Sequence, residues 1–181
     1  QAVRRLTSTD AAETDAKFSP RGRYVSYVRE QNLYVTELRS GQESAITQGG
    51  GGLVSYGMAE FIAQEEMDRD TGYWWSPNEK RIAVARVDET PVAELERFEI
   101  YAENVRVIRQ RYPATGAANA RVDLAVHTLK DGTSTSVGLG AEHDQGRDHP
   151  RRRRPGRVVR DGHLYRPVLP SRAAGIRAGR R

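Results

Sequence analysis

Phe18-Ser19-Pro20-Arg21-Gly22-Arg23 runs directly into the apolar stretch Tyr24-Val25-Ser26-Tyr27-Val28. Fifty-seven residues later, Trp75-Ser76-Pro77-Asn78-Glu79-Lys80 runs into Arg81-Ile82-Ala83-Val84-Ala85. An aromatic residue, Ser-Pro, a polar turn and a basic residue before a strand form the punctuation of a β-propeller blade. Proline presets the turn dihedral, small polar side chains close the turn, and the aromatic ring packs between blades. Propeller repeats span about 40–50 residues and take insertions in their loops, so the wider spacing predicts a blade that carries an insertion.

The rest of residues 1–140 agrees with an all-β reading. Arg23–Arg29 alternates and is rich in β-branched and aromatic residues, as a half-buried strand is. Further strands are predicted over Leu33–Leu38, Arg81–Val87, Phe98–Ile108 (one or two) and Arg121–Leu129, with turns at Ser40-Gly41 and Asp131-Gly132. Only Met58–Asp68 reads as helix, having good helix formers and no internal Gly or Pro. The expected fold is a partial β-propeller of two to three blades with one short helical insertion.

Charge divides the chain in two. Residues 1–140 hold 17 basic and 20 acidic side chains, net −3, whereas 141–181 hold twelve arginines, no lysine and four acids, net +8. The second part, with Arg151-Arg152-Arg153-Arg154 and the ending Arg177-Ala178-Gly179-Arg180-Arg181, sustains no period of 2 or 3.6 and reads as a disordered tail. It is either an arginine-rich arm able to bind phosphate or acidic surfaces, or out-of-frame translation beginning near Glu142–Asp148. The dominance of Arg, Pro, Gly and Ala favours the frame slip, so no nucleic-acid partner is expected. The chain has no cysteine, which excludes disulfides and thiolate metal sites, and it contains no apolar run long enough for a membrane helix.

Three segments carry a family resemblance. Ala59-Glu60-Phe61-Ile62-Ala63-Gln64-Glu65-Glu66-Met67-Asp68-Arg69 places paired glutamates on the short helix, and Thr71-Gly72-Tyr73-Trp74-Trp75-Ser76-Pro77 follows it. Tyr112-Pro113-Ala114-Thr115-Gly116-Ala117-Ala118-Asn119-Ala120-Arg121-Val122 is the third. Together, from about Phe18 to about Gly140, they resemble the dipeptidyl peptidase IV branch of the prolyl oligopeptidase family of serine peptidases, particularly its bacterial members. The resemblance implies an eight-bladed propeller joined to an α/β-hydrolase domain, with the active site between them, in a parent that is exported and often homodimeric.

It also implies that Glu65 and Glu66 bind the free α-ammonium of a peptide substrate. Two adjacent carboxylates can converge on one –NH₃⁺ through charge-assisted hydrogen bonds. The bland alternative is a pair of solvated helix carboxylates. The family's propeller arginine lies upstream of the Phe18 blade and has no counterpart here. Trp74 and Trp75 read as blade core, Asp68 and Arg69 as a surface pair, and Tyr112 and Asn119 as structural.

The chemistry of peptide cleavage is not expected in this chain. A serine peptidase needs a nucleophile elbow, a histidine base and an oxyanion hole. No Gly-x-Ser-x-Gly occurs; Leu53-Val54-Ser55-Tyr56-Gly57 is the nearest echo. His127 falls in a strand and His143, His149 and His163 in the basic segment, without a triad or a metal signature. No cofactor and no metal are expected. The expectation is a propeller fragment that holds a substrate's amino terminus and depends on a hydrolase domain outside it. A non-catalytic propeller serving as a protein-interaction module is the alternative.

Overall fold

A computed structural model describes residues 3–138. The expected boundary at 140/141 and the arginine-rich tail lie outside the described residues.

The first sheet is a four-stranded antiparallel meander, β1 (Glu13–Phe18), β2 (Tyr24–Arg29), β3 (Asn32–Glu37) and β4 (Glu43–Ala45), in that spatial order. The second is built on β7 (Arg81–Asp88), with β10 (Arg121–Thr128) and then β11 (Ser134–Val137) on one side. The other edge of β7 is shared by β5 (Val54–Met58) and β6 (Thr71–Trp75). Tyr56 lies opposite Arg86, and Tyr73 opposite Val84. The two segments are thus one interrupted edge strand, and each sheet has the four-stranded form of a propeller blade.

The repeated turns are superimposable in their hydrogen bonding. Ser19 N–H donates to Tyr24 O and Gly22 N–H to Ser19 O; in the second turn Ser76 N–H donates to Arg81 O and Glu79 N–H to Ser76 O, all at 2.9 Å. Tyr24 N–H reaches Ser19 Oγ at 3.0 Å, and Arg81 N–H reaches Ser76 Oγ at 2.9 Å. The fifth residue of each turn is left-handed, Gly22 at φ 69° and Glu79 at φ 58°. Glycine takes that conformation freely, whereas glutamate does so at a cost of about 1–2 kcal/mol.

Glu79 tolerates this because its carboxylate closes the first turn. It is 2% exposed and accepts from Ser19 Oγ (2.6 Å), Arg21 N–H (2.6 Å) and Arg23 Nε (2.5 Å). Burial alone would raise its pKa, but the bonds from Ser19, Arg23 and Arg21 outweigh burial and hold the carboxyl at about 2. One blade's turn therefore supplies the cap of its neighbour's.

Apolar residues from both sheets meet in one core: Val28, Leu33 and Val35 from the first, Tyr73, Ile82 and Val84 from the second. Tyr24 and Trp75, each next to a repeated turn, stack with ring centroids 5.7 Å apart. Trp75 packs against the core as expected, but Trp74 does not: it is 45% exposed. Alternation along β6 buries Tyr73 and turns its neighbour out.

Residues Glu94–Ile100 (β8) and Val105–Arg111 (β9) form a separate antiparallel hairpin between β7 and β10. The expectation of one or two strands in this region is met by two, both extending beyond the expected range. Four further strands, β1, β4, β5 and β11, and the strand β6 were not anticipated as elements.

Candidate functional site

Between Tyr56 and Tyr73 the chain leaves the edge of β7 and returns to it. The base of this excursion is closed by pairing of Gly57 with Gly72 and Met58 with Thr71, and Ala59 N–H adds a bond to Asp70 O at 2.9 Å. Both glycines are required. A Cβ on Gly72 would lie 2.2 Å from the Met58 carbonyl oxygen, and Gly57 (φ 75°) would bring one within 3.1 Å of Val28 Cγ2.

At the tip stands α1 (Phe61–Met67), shorter than the expected Met58–Asp68 because its flanks are used by the stem and caps. Glu60 is the N-cap, its carboxylate accepting from Ile62 N–H (2.6 Å) and Ala63 N–H (3.0 Å). Asp68 ends the helix in the left-handed conformation, φ 51°, and the Ala63 carbonyl accepts from the N–H groups of Asp68 and Arg69.

Glu65 and Glu66 lie in the last turn. Both are exposed, and among the described residues neither side chain makes a hydrogen bond or an ion pair. This is electrostatically unfavourable. A helix C-terminus carries partial negative charge and normally attracts Lys, Arg or His, yet the last turn contains no basic residue. The expected Asp68–Arg69 pair is absent among the described ion pairs. Arg69 instead donates to Thr71 O at 2.8 Å and lies 6.0 Å from the Trp74 ring centroid, drawn back to the stem. Among the described residues the helix end thus concentrates negative charge that no ion pair compensates.

A polar latch ties the stem to the first sheet. Lys17, on β1, donates to Thr71 Oγ1, lies 3.0 Å from Asp15 Oδ2 and sits 4.1 Å from the Tyr73 ring centroid. The Asp15–Lys17 contact is an ion pair only; buried Asp15 Oδ2 accepts no aligned hydrogen bond. Asp15 is left-handed (φ 49°) within the β1 bulge. The Tyr73 hydroxyl donates to Asp15 O, and burial pushes its pKa up to about 12. Ser26 Oγ bonds Tyr73 Oη at 3.2 Å and accepts from Trp75 Nε1 at 2.9 Å. None of this was visible in the sequence, because its members lie in separate blades.

His127 is half-buried on β10, which lowers its pKa through desolvation. No group of three or more His, Cys, Asp or Glu among the described residues could hold a metal ion, and no helix among them is long and apolar enough to cross a membrane.

Two four-stranded antiparallel sheets, the second carrying an acidic helix on a glycine-closed stem, define part of a β-propeller. A family model described as the dipeptidyl peptidase IV (DPP IV) N-terminal region matches residues 1–149. The chain belongs to that family. It is 29% identical over 136 residues to dipeptidyl aminopeptidase A of Saccharomyces cerevisiae, covering 71% of this chain and 14% of the yeast protein. With dipeptidyl aminopeptidase B of the same yeast it shares 31% identity over 128 residues, 66% of this chain and 15% of that one. The crystal structure of Porphyromonas gingivalis dipeptidyl peptidase 4 is similar with a TM-score of 0.69 and 26% identity, over 77% of this chain and 20% of that one. The chain thus spans about one seventh of the length of these two yeast relatives.

Proposed function

We propose that this region grips the amino terminus of a peptide substrate for a serine-type dipeptidyl peptidase, with Glu65 and Glu66 holding the α-ammonium. The observation that carries the reading is the placement of two exposed carboxylates, without an ion pair among the described residues, at a helix end whose last turn holds no basic residue. An ammonium supplies the missing charge, and its three donors match two carboxylates. Holding the amino terminus at one point sets the scissile bond two residues along, so the dipeptide length is measured from the clamp. Peptide cleavage itself would come from a hydrolase domain outside the 181 residues.

The test uses the full-length protein that carries this region. Replacing Glu65 or Glu66 by Gln removes one charged partner, worth about 1.5–3 kcal/mol, so kcat/KM for a dipeptidyl chromogenic substrate falls about 10- to 100-fold, chiefly through KM. Unchanged kinetics would mean that the glutamates are only a solvated helix face. The exposed apolar residues Phe98 and Ile100 on the β8–β9 hairpin favour a second reading, a protein-interaction module. Binding by such a module would be indifferent to N-acetylation of the peptide.

A further inference from the structure

A seven-residue helix is too short to hold itself in water. Among the described residues, no hydrogen bond or ion pair links Phe61–Met67 to anything beyond the adjoining caps and stem. An aromatic contact does reach outside. The Phe61 ring, in the first turn, meets the Tyr112 ring edge-on, with centroids 5.3 Å apart and planes at 69°. That is the geometry in which a ring's positive edge faces a negative π-face.

Tyr112 stands on a firm mount. Its N–H donates to Ala93 O at 3.0 Å, its carbonyl accepts from Ala114 N–H at 2.9 Å, and the preceding Arg111 donates to the carbonyl of buried Val92. Pro113 follows and limits the backbone further. Phe61 and Glu65 are four apart and share one face of α1, so a tilt about Phe61 displaces the Glu65 carboxylate.

We propose that Tyr112 is a positioning residue that fixes the orientation of α1 through Phe61, and with it the direction in which Glu65 and Glu66 present their carboxylates. This rests on the ammonium-clamp reading. It also joins the base of the β8–β9 hairpin to the clamp, since the Ala93 and Val92 carbonyls that hold Tyr112 and Arg111 precede the hairpin.

The test has two readouts. In this chain, amide hydrogen exchange across 61–68 accelerates about three- to tenfold in Tyr112→Ala, while amides of β7 and β10 keep their rates. Tyr112→Phe behaves as wild type, because the phenol makes no hydrogen bond among the described residues. Should the alanine variant not fold, Tyr112→Leu, which keeps apolar bulk without an aromatic edge, gives a smaller acceleration of the same amides. In the full-length protein, Tyr112→Ala raises KM for a free-amine dipeptidyl substrate, leaves kcat near wild type, and adds little to Glu66→Gln. Unaltered exchange in α1 overturns the proposal. So does faster exchange with an unmoved KM where Glu66→Gln raises KM. Faster exchange with Glu66→Gln itself silent overturns instead the clamp reading beneath it.

Discussion

The blade-to-blade cap formed by Glu79 makes a quantitative prediction. Its carboxyl is held at about 2, against an ordinary 4.5. By linkage, such a lowering contributes about 3 kcal/mol of stability. Because the folded pKa is the lower one, this contribution is complete above about pH 4.5 and is lost as pH falls through 2. Arg23 is half exposed and solvent screens its share, so most of the effect belongs to the buried bonds from Ser19 and Arg21. Glu79→Gln keeps the shape but loses the charge, and should cost about 2 kcal/mol at pH 7. Glu79→Ala leaves Ser19 and Arg21 N–H without their acceptor and should cost about 3 kcal/mol. Glu79→Gly removes the same bonds but relieves the left-handed strain, so it should be about 1 kcal/mol better than alanine. Urea unfolding followed by tryptophan fluorescence reads this directly, since Trp75 stacks on Tyr24 beside the cap. If Gln and Ala variants unfold within about 0.5 kcal/mol of wild type, or keep the wild-type loss of stability between pH 4.5 and 2, the cap does not couple the blades.

Gly72→Ala sets a Cβ against the Met58 backbone and should destabilise by about 1–3 kcal/mol, with faster exchange at Met58 and Ala59; retention of the wild-type midpoint would show that the stem opens easily. The purified 181-residue chain, which has no Gly-x-Ser-x-Gly, should give no inhibitor-sensitive turnover of Gly-Pro chromogenic substrates, and measurable turnover would overturn that expectation.

Local patterns carried much of this protein. The alternating, β-branched runs at Tyr24–Arg29, Arg81–Asp88 and Arg121–Thr128 announced their strands, because side-chain alternation depends only on neighbours along the chain. The twice-used Ser-Pro turn announced the blade, and the three motifs between Ala59 and Val122 announced the family. Short or polar strands gave no comparable signal: β1 (Glu-Thr-Asp-Ala-Lys-Phe) is half-exposed, and β4 has three residues.

What the sequence could not express is continuity and contact across long separations. Tyr56 and Tyr73 belong to one interrupted strand only because β7 aligns both, and the 57–72 excursion becomes a mount only when Gly57 meets Gly72. Glu79, in a position where the first repeat has glycine, was a local oddity until Ser19, Arg21 and Arg23 were brought to its carboxylate. Trp74 and Trp75 look alike in the chain, but pleating exposed the first and placed the second on the core. The sequence by itself determined the blade turns, the apolar strands and the acidic pair on a helix. Tertiary structure alone decided that the Glu79 carboxylate is neutralised and that Glu65 and Glu66 make no ion pair among the described residues, because compensation depends on distance in space, and Ser19, Arg21 and Arg23 reach Glu79 only when two blades pack together.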